Sequence, residues 1–167
     1  MSTHCYLGAI TPENPQRVQA RVVLNDGHPE VVLPALAAIW AGHAHRDTRA
    51  LITAILAHDW EHLDPDVTTA TVSPLAGQQP VPGVGITLNS PTEASVDPPE
   101  PVTVFPLCHA RHLDAPWIYL LHPDVDTVTV HTTDGTRVAT YPLRWCLPAT
   151  GTADNQSRRP AASRRTR

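Results

Sequence analysis

Residues 16–62, QRVQARVVLNDGHPEVVLPALAAIWAGHAHRDTRALITAILAHDWEH, change period twice, and that change decides the fold class. In Gln16–Leu24 the residues Val18, Ala20 and Val22 alternate with Arg17, Gln19 and Arg21, the period of two expected of a half-buried strand. Asn25-Asp26-Gly27 then marks a turn. Beyond it Val32, Leu36, Ile39 and Trp40 recur at spacings of three and four, so a helix opens near Pro29 and runs to about Ala41, with Gly42 as its C-cap. Pro34 removes one backbone bond inside that helix, which therefore kinks or begins there. Asp47 is the N-cap of a second helix whose stripe is Leu51, Ile52, Ile55 and Leu56, expected to reach Trp60 or His62 and to end before Asp64-Pro65.

Downstream the pattern turns to β. Strands are expected at Thr68–Val72, Gly85–Leu88, Val102–Leu107 and Trp117–Leu121, the last nearly all apolar and so interior to its sheet. Val128 and Val130 alternate with Thr129 and His131, Asp134-Gly135 provides a tight turn, and Arg137–Tyr141 returns until Pro142 stops it. Most of the proline-rich stretch 74–101 reads as an irregular loop. The class is α+β: an antiparallel or mixed sheet of five to seven strands with two helices on one face. Residues 1–147 make a single domain, and 148–167 read as a disordered Arg-rich tail without large apolar residues beyond its start.

Composition narrows the classes. Val, Ile, Leu and Phe make up 23% of the 167 residues, above the roughly 20% below which a chain does not fold alone. The longest apolar run, Val31–Ala41, is interrupted by Pro34 and is short of the about twenty residues a membrane span needs, so no membrane partner is expected. No signal sequence is legible, and a cytoplasmic location is expected. Cys5, Cys108 and Cys146 are odd in number and widely spaced, which encodes neither a disulfide framework nor a cysteine-rich zinc site. The 12 cationic residues are all Arg, and they are uneven: residues 1–147 carry −8, while the tail carries +4. An acidic body repels nucleic acid, leaving only the tail pairs Arg158-Arg159 and Arg164-Arg165 to touch phosphates.

Ten His raise the question of metal. His58-Asp59-Trp60-Glu61-His62 matches His-x-x-Glu-His, in which two imidazoles on one helical face hold zinc and the glutamate activates its water. Here His58 and His62 would be the ligands and Glu61 the base, against a reading as surface groups beside a core Trp. Cys108-His109-Ala110-Arg111-His112, followed by Asp114, offers a thiol and two imidazoles, although sequence neighbours in an extended loop point apart. His43 and His45 share one side of an extended link, a weaker metal candidate. Asp26-Gly27-His28-Pro29-Glu30 feeds a helix N-terminus where anions bind, but Pro29 deletes a donor and Glu30 repels. Phosphate-loop, dinucleotide, nucleophile-elbow and helix-turn-helix patterns are missing.

The run Asp26-Gly27-His28-Pro29 through Trp40, Asp47-Thr48 and Ala57-His58-Asp59-Trp60 resembles a set of small proteins of actinobacteria and their plasmids and phages, over about residues 17–63. That resemblance implies a cytoplasmic accessory protein of a mobile element and carries over no catalytic or binding residue. The leading expectation is a non-enzymatic interaction or regulatory module that takes another protein as partner and needs no cofactor. Any exposed member of Trp40, Trp60, Trp117 and Trp145 would be its anchor. The alternatives are a zinc-dependent hydrolase at His58, Glu61 and His62, and weak nucleic-acid binding through the tail.

Overall fold

The N-terminal segment Cys5–Thr11 (β1) is apolar on both faces and pairs antiparallel with Asn14–Val23 (β2), in register from Cys5 opposite Val23 to Ile10 opposite Val18. The computed structural model describes residues 2–71, 78–88 and 102–149. Gly8 is required where the strands meet, because a Cβ there would lie 1.8 Å from the Gln19 carbonyl oxygen. After the Asn25–Gly27 corner, α1 (Pro29–Ala41) starts with Pro29 in its first turn and continues through Pro34. The Asp47 carboxylate accepts the Arg49 and Ala50 amides at 2.9 and 3.3 Å and so opens α2 (Thr48–Leu56).

The second helix stops earlier than its periodicity predicts. Trp60–Leu63 is a strand, β3, and the reason lies in the end of α2. The Ile55 carbonyl accepts the Trp60 indole N–H at 2.9 Å, and the Leu56 carbonyl accepts Arg21 Nε at 2.9 Å. Side chains from β2 and β3 thus satisfy carbonyls that another helical turn would have used. The buried Arg21 cation suits the negative end of the helix and lies 3.8 Å from the Asp59 carboxylate, which also accepts the Val22 amide.

Pro80–Val81 (β4) and Gly85–Thr87 (β5) follow, then Thr103–Pro106 (β6), Trp117–His122 (β7), Thr127–Thr132 (β8) and Arg137–Pro142 (β9). Short 3₁₀ helices occupy Leu107–Leu113 and Leu143–Trp145. The nine strands make one mixed sheet in the order β4-β5-β3-β2-β1-β7-β8-β9, with β6 pairing residues 17–20 of β2. The β1–β7 and β2–β3 pairs are parallel. The fold is α+β as its sequence implies, with nine strands among the described residues rather than five to seven. Further segments differ from expectation within the described residues: Thr68–Thr71 is a turn closed by the Thr71 amide on the Thr68 carbonyl, and the proline-rich stretch contains the β4–β5 hairpin. Val72, the rest of that stretch and the tail from Thr150 lie outside the described residues.

Both faces of the sheet are covered. On one, Leu36 and Ile39 of α1 and Leu51 and Ile55 of α2 pack on Leu7, Val23, Tyr119 and Val130, closing the main core. On the other, Ala110, with Phe105, Leu107 and Leu113 beside it, covers Val18, Ala20, Ile118 and Leu120. Between β8 and β9 the Gly135 amide meets the Thr132 carbonyl at 2.9 Å, and Gly135 takes a φ of 81° that suits glycine.

Candidate functional site

The structure separates the groups that a His-x-x-Glu-His metal site would need on one helix. His58 sits in the link after α2, its ring edge-on to Trp60 at 5.7 Å, while Glu61 and His62 lie on β3. Burial, and then the Arg21 cation, hold the His58 imidazole below its ordinary pKa, partly opposed by Asp59. Glu61 accepts the Asn25 side-chain amide at 2.5 Å, an anchor for the corner before α1. Among the described residues no group of three His, Cys, Asp or Glu is placed to hold a metal ion.

The other sequence candidates have structural neighbours of their own. Cys108–His112 is a 3₁₀ helix rather than an extended loop, so residues three apart eclipse and His109 and His112 meet edge to face at 6.3 Å. Cys108 is exposed, and Asp114 ends the helix with a φ of 54°. His43 packs against Gly83, and His45 and Arg46 turn the chain with φ values of 50° and 63°. In the Asp26–Glu30 corner the Gly27 amide is spent on the Thr3 carbonyl at 2.6 Å, and the Gly27 carbonyl accepts the buried Tyr119 hydroxyl at 2.8 Å. His28 Nε2 meets Thr3 Oγ1 at 2.8 Å. This corner ties Thr3 to β7, a structural use of the residues weighed above as an anion site.

The four tryptophans divide sharply. Trp60 is fully buried, Trp40 nearly so and Trp117 half-buried, but Trp145 is 72% exposed. An indole can bury roughly 150–250 Å², so at about 25 cal/mol per Å² this ring leaves roughly 3–4 kcal/mol of burial unused. Its mounting is firm. Leu143, two residues earlier, is fully buried, and its amide donates to the Asp126 carbonyl at 2.9 Å. Asp126 in turn accepts the Thr48 hydroxyl at 2.5 Å, which joins the β7–β8 turn to the start of α2. The Cys146 amide closes back on the Leu143 carbonyl at 3.0 Å, and the Arg144 guanidinium stands 5.9 Å from the Trp145 ring centre.

Two more exposed apolar side chains belong to the same end of the sheet. Val125, 65% exposed, precedes Asp126 in the β7–β8 turn, and Tyr141 lies on β9 just before the Trp145 segment. Among the described residues β9 has no neighbour on its outer side. The arrangement places an exposed aromatic and an adjacent cation on a hydrogen-bonded backbone segment, residue types common among interface anchors. Sequence reading named Trp145 among four candidates but did not single out Val125, Tyr141 or Arg144. The nearest signal was Pro142, which ends β9 and turns the next residues out of the ladder.

The fold defines a class: a mixed α+β domain, here with one exposed tryptophan just after its edge strand β9. No family model, curated protein or solved structure matches the chain. No helix among the described residues is long and apolar enough to cross a membrane.

Proposed function

We infer that the protein is a non-enzymatic interaction module, acting in the cytoplasm in the accessory role its resemblance implies, and that another protein docks on Trp145. The observation that carries this reading is the exposed Trp145 indole on a hydrogen-bonded backbone segment, with the Arg144 guanidinium 5.9 Å from its ring centre. Interface anchors are enriched in Trp, Tyr and Arg because these give large contact area at low entropic cost. The two backbone closures around Leu143 mean that little order remains to be imposed on binding.

The test is sedimentation of the protein gently extracted from its own cells, beside a Trp145→Ser variant. The wild type should sediment faster than a free monomer, and Trp145→Ser should sediment as one, with unchanged unfolding midpoint. Wild type that sediments only as free monomer, or a complex indifferent to Trp145→Ser, overturns the reading.

A further inference from the structure

Thr129 and His131 of β8 and His122 of β7 share the sheet face opposite α1 and α2, and their hydrogen bonds run in one direction. His131 Nδ1 lies 3.1 Å from the Gly135 carbonyl, which can only accept, so Nδ1 carries the proton. Nε2 of the neutral ring is then an acceptor, and it stands 2.9 Å from Thr129 Oγ1, whose hydroxyl must donate to it. That hydroxyl oxygen is left to accept from His122 Nε2–H at 3.0 Å. The order is therefore His122 to Thr129 to His131 to Gly135. Thr129 and His131 are both buried. The hydroxyl has one other acceptor in reach, the Leu120 carbonyl at 3.4 Å.

The charged surroundings are one-sided. From β9 the facing group is Arg137, paired across the ladder with His131, and among the described residues no carboxylate forms an ion pair with it. In the turn, Asp134 is occupied by the Thr132 hydroxyl at 2.7 Å and the Thr136 amide at 3.0 Å. Tyr6 of β1 stands on the same face, ring against Phe105 at 6.1 Å. The 3₁₀ helix meets the turn through Leu107, which would clash with a Cβ on Gly135, and its Cys108, His109, Arg111 and His112 are exposed.

We propose that His122, Thr129 and His131 form a proton-operated latch that holds the β8–β9 hairpin closed when neutral and releases it when protonated. A proton taken from solvent at His131 Nε2 turns that atom from acceptor to donor. The Thr129 hydroxyl must then swing to the Leu120 carbonyl while its oxygen accepts from both imidazoles. A second proton, on His122, places two imidazolium charges beside Arg137, and among the described residues none of the three is ion-paired with a carboxylate. The weakest neighbour yields, and that is β9, an edge strand joined to β8 across a bulge between Val130 and His131. Burial, the largest cause, holds both imidazoles below the ordinary histidine range; His131 and then Arg137 add to it at His122, and at His131 Arg137 adds to it against the Gly135 carbonyl, which favours the charged ring, so the latch works on the acid side of neutrality.

The experiment is side-chain ¹⁵N spectroscopy of the full chain with amide exchange at pH 7.5 and 5.5, protection factors being corrected for intrinsic rates. His131 should carry its neutral proton on Nδ1. Protection of the Thr132, Gly135 and Ala139 amides should fall about tenfold or more at the lower pH, the equivalent of one unit of pKa shift, while α1 and α2 keep theirs. His131→Asn, whose amide retains the Gly135 bond without a titrating ring, should lose that pH dependence. A neutral His131 protonated on Nε2, hairpin protection equal at both pH values, or full dependence in His131→Asn overturns the proposal. The tautomer and wild-type exchange decide it even if the variant does not fold.

Discussion

Trp40 and Trp60 should respond unequally to the same substitution. Both are buried in the main core, and Trp→Phe removes a similar amount of ring from each. They differ in one atom. Trp60 Nε1 donates to the Ile55 carbonyl at 2.9 Å, whereas Trp40 Nε1 is buried without a hydrogen-bond partner among the described residues. Trp60→Phe therefore strands an acceptor at the end of α2, a cost of about 1–3 kcal/mol beyond the lost ring contacts. Trp40→Phe deletes an unpaired donor whose desolvation was already a burden of about 1–3 kcal/mol, and this offsets much of its cavity cost. The expected gap is about 2–6 kcal/mol, with Trp60→Phe the less stable. Urea unfolding followed by far-ultraviolet circular dichroism reads it as a difference in midpoint at common slope. If Trp40→Phe proves as destabilising as Trp60→Phe, indole satisfaction is not what distinguishes the two rings.

Gly8→Ala should prevent folding, costing more than about 3 kcal/mol, because its Cβ would meet backbone at 1.8 Å between two paired strands; Gly42→Ala, 3.3 Å from the Ala38 oxygen, is the near-neutral control, and equal melting temperatures would refute the register. Acid should destabilise the whole domain before its carboxylates titrate. His58, His122 and His131 all have native pKa values below the ordinary 6.5, so the unfolded chain binds more protons and stability rises with pH. Their contribution is complete above pH 6.5 and is lost as pH falls through the native values. Unfolding midpoints flat from pH 7.5 to 5 would contradict this.

Much of the fold is legible because local chemistry announces it. Pro29 and Asp47 start the helices, and Asp134-Gly135 turns the last hairpin where its residues say it should. What is hidden is set by partners far along the chain. β1 shows no period because both its faces are covered, one by α1 and α2 and the other by residues 105–113. The stripe of α2 gives no warning that Arg21, 35 residues away, takes the Leu56 carbonyl, so the helix that would have aligned His58 with His62 ends first.

The candidate surface illustrates the same limit. Four tryptophans are equally apolar in sequence, and Trp145 is left outside because Leu143 enters the core and Asp126 fixes the backbone between them. Alternation in β8 marks Thr129 and His131 as solvent-facing, yet both are buried, since the hairpin turn and its imidazole bonds close over a face that a two-layer sheet would leave wet. A His–Thr–His chain whose Thr129 and His131 are buried, beside an Arg137 without an ion pair among the described residues, stabilises the hairpin only while both rings are neutral. The polar half of β8 is therefore a conditional part of the core, and its condition is pH.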